Sequence, residues 1–469
     1  MPQNRSYLFL EMTNAICTTC FQKVEAKIIS ENNHVYMQKR CFTHGMEKVL
    51  ISTDLEYYQK CRSFIKPSEM PLVWNTPIKY GCPYDCGLCP DHEQHSCLTL
   101  VEITDHCNLE CPICFAESSP HRQTHRSLEH VEKLLDAIVR NEGEPDIVQI
   151  SGGEPTIHPQ FFEILDAAKK RPIRHLMVNT NGLRIANDIE FVKRLETYSP
   201  GFEIYLQFDS FEEDALHELR GVDLRKVRMK ALEHLNEFNI STTLVVTLKK
   251  GLNDKECGKI IDYGLKQRCV RGVTFQPIQA AGRLEDFNPA TDRLTLSEVR
   301  QNILDQTNVF SSSDIIPVPC HPDALAMGYA LKMGESVLPL TRLVSEDVLL
   351  KGGRNTIVYE QDEAIRQNIF KLFSTNHSPN SAAHALQSLL CCLPQVEVPT
   401  AIGYDHVFRV IIMQFMDAQT LDIRSVKKSC VHIVHTDGRI IPFDTYNLFY
   451  RNGKEELLNK IRREPIQNA

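Results

Sequence analysis

Three cysteines, Cys107, Cys111 and Cys114, stand at spacings of four and three directly after the apolar run 98–103. Thiolates at Cx3Cx2C on one loop can wrap three corners of a [4Fe–4S] cube and leave the fourth iron without a protein ligand. An iron left open can chelate a small molecule, whereas four thiolates close a cluster into an electron carrier or a structural staple. A second group, Cys82, Cys86, Cys89 and Cys97, opens with the same spacing and places four thiols within sixteen residues. That is enough for every corner of an auxiliary cluster. Either triplet could be the open one. Cys107, Cys111 and Cys114 are preferred because they alone follow a strand and precede a βα pattern, while Cys97 can fill the fourth corner upstream. Nearer the start, Cys17-x2-Cys20 and Cys41-x2-His44 flank two strand-like runs, 23–29 and 34–39, turned by Glu31-Asn32-Asn33. This is the layout of a zinc-ribbon or rubredoxin-like knuckle. Its fourth ligand is His44 or Cys61, and its metal zinc or mononuclear iron.

The elements that must position these groups follow from periodicity. Apolar strands read at 98–105, 146–151, 174–180, 202–208, 241–248 and 272–277. Helical patterns read at 127–141, 159–170, 186–197, 211–218, 223–238 and 253–267. Six βα units in sequence imply an α/β fold with a parallel sheet, and active-site groups of a barrel come from the C-terminal ends of its strands. There stand Ser151-Gly152-Gly153-Glu154-Pro155 after the second strand, and Asn179-Thr180-Asn181-Gly182 after the third. The latter either contact a ligand or satisfy the turn. Gln207 and Asp209 share a face by the strand period of two and are expected to meet a ligand. Thr247, Gln276 and Arg283 are weaker candidates. Cys257 and Cys269 read as core thiols, and His92, His95 and His106 are given no role.

Composition bounds the remaining choices. At 469 residues the chain exceeds one typical domain. Net charge is −8, from 52 basic and 60 acidic residues, with no basic block, so nucleic-acid binding through phosphate neutralisation is not expected. No apolar run reaches membrane-spanning length, and the first residues lack a signal-peptide core. A cytoplasmic location is expected. Seventeen cysteines, eleven of them within the first 114 residues, then argue for metal ligation rather than disulfides.

Cx3Cx2C followed one βα unit later by Gly-Gly-Glu-Pro resembles the radical S-adenosylmethionine (SAM) enzymes. The resemblance implies an open (β/α)6 partial barrel and a [4Fe–4S] cluster on Cys107, Cys111 and Cys114 that reductively cleaves SAM. It implies Phe115 against the adenine, and Gly152, Gly153 and Glu154 at the SAM ammonium. Asn179, Gln207 and Asp209 are further cofactor contacts, and a ferredoxin- or flavodoxin-type protein is the reductant. Taken with the N-terminal knuckle and the Cys82–Cys97 group, nearly the whole chain resembles the tetraether lipid synthase and pterin-methylase family. That family forms carbon–carbon bonds or methylates unactivated carbon on lipid or pterin-like small molecules, and carries one or two auxiliary [4Fe–4S] clusters. By that resemblance Cys320, Cys391 or Cys392, and Cys430 would hold a third cluster. The competing expectations are a radical SAM maturase of a peptide or cofactor precursor, and a non-catalytic iron–sulfur or zinc protein.

The expected organisation is a metal knuckle over 1–65, an auxiliary cluster loop over 66–97, the barrel over 98–290, and a C-terminal α+β region over 291–469. In the last, Pro317-Val318-Pro319-Cys320-His321-Pro322 reads as extended, a helix is expected from Ala324, and 432–443 as a hairpin around Thr436-Asp437-Gly438.

Overall fold

The computed structural model describes residues 5–63, 69–285, 287–333, 336–342, 404–451 and 453–463. The chain opens with four antiparallel strands in sequential order: β1 (Leu8–Ile16), β2 (Lys23–Glu31), β3 (His34–Cys41) and β4 (Gly45–Ser52). Asn32 and Asn33 join β2 to β3 with φ of +50° and +66°, the left-handed pair that a tight two-residue hairpin needs and asparagine tolerates. Helix α1 (Leu55–Ser63) follows. The small sheet docks on the far end of the chain. Lys39, 2% exposed, donates to the carbonyls of Ala418 and Gln419, and Thr13 donates to Asp422 at 2.6 Å.

The main sheet is built from β5 (Leu98–Thr104), β7 (Ile147–Gly152), β8 (His175–Thr180), β9 (Phe202–Gln207), β10 (Thr242–Leu248) and β11 (Val270–Pro277), all parallel and in sequence order. β6 is the two-residue strand Ile113–Cys114 inside the cysteine loop. The helices on the outer face are α2 (Leu128–Glu142), α3 (Phe161–Lys169), α4 (Leu183–Asn187), α5 (Ile189–Glu196), α6 (Glu213–Arg220), α7 (Arg225–Glu237) and α8 (Cys257–Lys266). Two of them begin at a capping side chain. Ser127 caps α2 by accepting from the His130 amide. Asp188 splits the expected 186–197 helix in two by capping α5 through the Phe191 amide. Val131, Leu134, Leu135 and Ile138, at helical spacing on α2, turn one apolar stripe onto the sheet, and each contributes roughly 1.5–3 kcal/mol by leaving water. Cys257 and Cys269 are fully buried in this core, as expected.

The sheet continues at both edges. After β12 (Arg283–Leu284) and α9 (Leu296–Gln306) come β13 (Ile316–Pro317), β14 (Leu325–Met333) and β15 (Ser336–Pro339). β16 (Val407–Met413) then lies parallel to β11 and antiparallel to β14. At the opposite edge β17 (Val431–Val434) runs parallel to β5 and turns back antiparallel as β18 (Ile440–Pro442), completing the expected hairpin. A helix, Phe443–Phe449, follows it. The helix expected from Ala324 is instead strand β14. Ala, Leu and Met favour helix locally, but the segment is hydrogen-bonded along both sides, to β16 and to β13 and β15. Partners distant in sequence override local propensity. Among the described residues no helix is long and apolar enough to cross a membrane.

Candidate functional site: a thiol-rimmed cavity at the top of the barrel

Side chains pointing into the barrel form successive layers. At the N-terminal end of the strands, Glu203 is fully buried and accepts from Arg409 at 2.7 and 2.8 Å, with His175 at 3.0 Å and Thr243 beside it. Arg409 draws the Glu203 carboxyl far below its ordinary range against the opposing effect of burial. This network closes the floor. Above it a small apolar space of about 30 Å³ is bounded by Leu98, Met177, Tyr205 and Met413. Higher still opens a cavity of about 170 Å³, lined by Cys107, Cys111, Cys114, Phe115, Gly152, Gly153 and Glu154 together with amide side chains from four strands.

Two glycines set how closely the second loop approaches the first. A Cβ on Gly152, whose φ is +124°, would meet the Thr104 carbonyl oxygen at 2.3 Å, and one on Gly153 would meet that of His106 at 2.1 Å. The Gly153 and Glu154 amides donate to those same two carbonyls. No side chain fits there, so Glu154 is delivered to the cavity beside Cys107. Its carboxylate accepts from the Asn181 amide at 2.8 Å, the Thr180 hydroxyl at 2.7 Å and the Thr156 amide at 3.1 Å, and burial raises its pKa. Thr180 and Asn181 thus hold the carboxylate, and they also satisfy the turn by accepting from the Gly182 amide at 3.1 Å and the Leu183 amide at 3.0 Å. Asn181 also donates to Asn108 inside the cysteine loop at 2.7 Å.

Burial pushes the Cys107 thiol up to about 12 and raises that of Cys111. These two buried thiols are poor nucleophiles but good ligands, because a bound iron would make them thiolates; Cys114, half-buried, faces the same cavity. The loop is strapped from outside by Arg283, which donates to the Cys111 carbonyl at 2.6 Å and that of Ser118 at 2.9 Å. Arg283 therefore shapes the loop rather than facing a ligand. Phe115 lines the cavity, packed edge-on to Phe443 at 5.1 Å with the Arg451 cation 5.4 Å from its ring.

Gln207, Asn179, Thr247 and Gln276 reach the cavity as expected. Asp209 does not. β9 ends at Gln207 and Asp209 has φ of +65°, so the period of two lapses before it. Its fully buried carboxylate lies behind the wall, gripping Arg220 at 2.6 and 2.8 Å and Arg228 at 2.8 Å. Those two arginines line the cavity in its place, and Arg228 Nη1 is buried without a hydrogen-bond partner. Sequence reasoning missed both. A carboxylate just past a strand end, followed by two arginines on the next two helices, is the signal that could have found them.

The other thiols regroup. Cys17, Cys20, Cys41 and His44 bring their ligand atoms within 4.8 Å of one another. Cys17 and Cys41 lie 3.5 and 3.4 Å from His44 Nδ1, and Cys20 lies 3.9 Å from Cys41. Tetrahedral zinc with Cys and His ligands has edges of roughly 3.5–3.8 Å, so the set fits. Cys61 is elsewhere, buried in α1 beside Tyr57. Cys82 hydrogen-bonds to Cys86, and Cys89 is near enough to feel Cys86, but the three sulfurs do not all come within 4.8 Å of one another. Cys97, however, does not complete them. It opens into β5, next to β17, and its thiol sits within 4.8 Å of Cys320 and Cys430, which are 3.3 Å apart. The cross-strand pairing of β5 with β17, which brings the Leu98 amide to the Cys430 carbonyl at 3.1 Å, carries it away from the upstream triplet. Cys391 and Cys392 lie outside the described residues.

Residues 101–264, running from within β5 through β10 and spanning the cysteine loop and the Gly-Gly-Glu-Pro turn, match the model of the radical SAM superfamily. These residues form a radical SAM domain. Residues 9–53 match a family described as the HMPTM N-terminal zinc ribbon domain, the segment that gathers Cys17, Cys20, Cys41 and His44. The chain is similar to the 7,8-dihydro-6-hydroxymethylpterin dimethyltransferase of Methanocaldococcus jannaschii, at 29% identity over 95% of this chain and 94% of that one. It is also similar to the GTP 3',8-cyclase of Haemophilus influenzae, at 27% identity across 42% of this chain and 58% of the relative. Among solved structures, Streptococcus suis SuiB bound to S-adenosylmethionine aligns with 44% of the chain and 46% of its own, at 17% identity and a TM-score of 0.36.

Proposed function

We propose that this radical SAM enzyme methylates an unactivated carbon of a compact pterin-like heterocycle. The carrying observation is the character of the cavity. Amides of Gln149, Asn179, Gln207 and Gln276 face a space of about 170 Å³, and below it the barrel is plugged by Glu203, Arg409 and His175. Long alkyl tails need a continuous apolar passage. A flat ring with polar edges needs apolar faces and a few placed donors and acceptors, which is what these strands supply. The likeness to a pterin dimethyltransferase along nearly the whole chain supports the same substrate class.

Cys107, Cys111 and Cys114 would hold the [4Fe–4S] cluster, with Gly152, Gly153 and Glu154 beside the SAM amino group and Phe115 against the adenine. When bound, cluster and SAM together supply a radical able to take hydrogen from an inert C–H bond. The chain's own contribution is placement. Thr156, Thr180 and Asn181 fix the Glu154 carboxylate, Asp209 fixes Arg220 and Arg228, and the apolar wall keeps water out. Cys82, Cys86 and Cys89 would hold an auxiliary cluster, and Cys97, Cys320 and Cys430 a further metal. A soluble low-potential reductant and a cytoplasmic setting complete the proposal.

The test is anaerobic reconstitution followed by incubation with dithionite, SAM, a methylene-folate-type one-carbon donor and 7,8-dihydro-6-hydroxymethylpterin. The expected products are 5′-deoxyadenosine and a pterin heavier by one or two methylene units, both lost in Cys107→Ser. Formation of 5′-deoxyadenosine with a lipid substrate but no pterin product would overturn the substrate class. A Cys107→Ser protein that still cleaves SAM would overturn the ligand assignment.

A further inference from the structure

Within the amide layer one side chain differs from the rest. Asn179 accepts from Gln207 at 2.8 Å, Gln207 also accepts from Arg220 at 3.0 Å, and Gln276 donates to the Tyr205 hydroxyl at 3.0 Å. Gln149, from the middle of β7, has no such partner among the described residues. It is only 4% exposed, and it lines the cavity between Leu100 on one neighbouring strand and Met177 on the other. Its amide atoms are not sealed inside the protein but open onto the cavity, so their hydrogen bonds fall to whatever fills that space. Its place is also distinct from the SAM end. Gln149 lies three residues below Gly152 on the strand, so it faces the space beneath the Gly-Gly-Glu-Pro turn rather than the turn itself.

A glutamine offers one acceptor oxygen and two N–H donors from a planar group. That set matches a ring edge presenting an N–H or exocyclic amine beside a ring nitrogen or carbonyl oxygen. The walls around it, Leu100, Met413, Phe415 and Phe443, offer flat apolar contact to the two faces of such a ring. We propose that Gln149 is the specificity-determining residue that reads the hydrogen-bonding edge of the substrate ring. The inference rests on the pterin reading above and adds which residue recognises the ring, and by which edge.

The experiment measures binding rather than turnover. Cluster-reconstituted wild type, Gln149→Met and Gln149→Leu are titrated, by intrinsic pterin fluorescence, with 7,8-dihydro-6-hydroxymethylpterin and with the analogue lacking the 2-amino group. Iron and zinc contents certify that each variant is folded. The expected result is that wild type prefers the aminated ring by about tenfold to a hundredfold. Both variants bind it at least tenfold more weakly and no longer distinguish the two rings. Wild-type affinity and discrimination kept in a metal-replete variant would overturn the role of Gln149 and leave the pterin reading standing. Wild type binding neither ring would overturn the pterin reading and this inference with it.

Discussion

Replacing Asp209 by asparagine removes one negative charge from a place where two guanidinium groups converge. In the native protein Asp209 accepts three bonds of 2.6 to 2.8 Å from Arg220 and Arg228, and a fourth from the Thr247 amide at 3.1 Å. Burial already pulls the Arg228 guanidinium down to about 10 despite the carboxylate beside it. Asparagine keeps one acceptor and turns two donors toward groups that only donate. Breaking a buried pair by deleting one partner costs about 3–5 kcal/mol. At a few degrees per kcal/mol in a chain of this size, the melting temperature should fall by about 10 °C. Because Arg220 and Arg228 line the cavity, SAM affinity should fall with it. Thermal melting of the zinc-loaded protein and SAM binding to the reconstituted enzyme measure both. If Asp209→Asn melts within 2 °C of wild type while losing SAM affinity, the carboxylate contacts the cofactor directly and the arginine-anchoring argument is wrong.

Two further outcomes are expected. His44→Ala should lose the zinc of the N-terminal site, read by metal analysis, while Cys61→Ala keeps it; loss of zinc in Cys61→Ala would show that the wrong fourth ligand has been assigned. Asp444 is buried and pushed up to about 7 while accepting from the Met416 amide at 2.6 Å. Its folded state therefore binds a proton more tightly than the unfolded chain, where aspartate titrates near 3.9. The stability it contributes is complete below about pH 4 and declines until pH reaches about 7. Asp444→Asn, which resembles the neutral acid, should gain on wild type by roughly 4 kcal/mol across that window. Urea unfolding at pH 4 and pH 8 reads the gap, and a gap that does not change with pH refutes the assignment.

Much of this was legible in the chain because the signals are local. The Cx3Cx2C loop, the Gly-Gly-Glu-Pro turn and six strands with their intervening helices each declare themselves within a dozen residues, and the strands lie within two residues of their expected bounds. What was not legible depends on partners far away in sequence. Cys97 looked like the end of the Cys82 group until β17, more than three hundred residues on, paired beside it. Ala324 to Met333 carried helix formers but found strands on both sides. Asp209 carried the right charge at nearly the right place, and a backbone turn of one residue moved it behind the wall. The outer strands β1 and β4 of the zinc ribbon went unread for a different reason: much of their side-chain surface is exposed or only half covered, so no apolar alternation announces them.

The two strands that the C-terminal region adds, β16 at one edge of the barrel sheet and β17 at the other, give the radical SAM domain a particular dependence. An open parallel sheet leaves unpaired amides and carbonyls along each border, which invite pairing with other chains. Here both borders are covered by one later stretch of the same polypeptide. The segment that matches the superfamily, cut out at 101–264, would carry neither cover. It would also lose β11, whose other neighbour is β16. The catalytic module cannot be borrowed as a cassette: whoever transplants its chemistry to another scaffold must also bring the two strands that hem it.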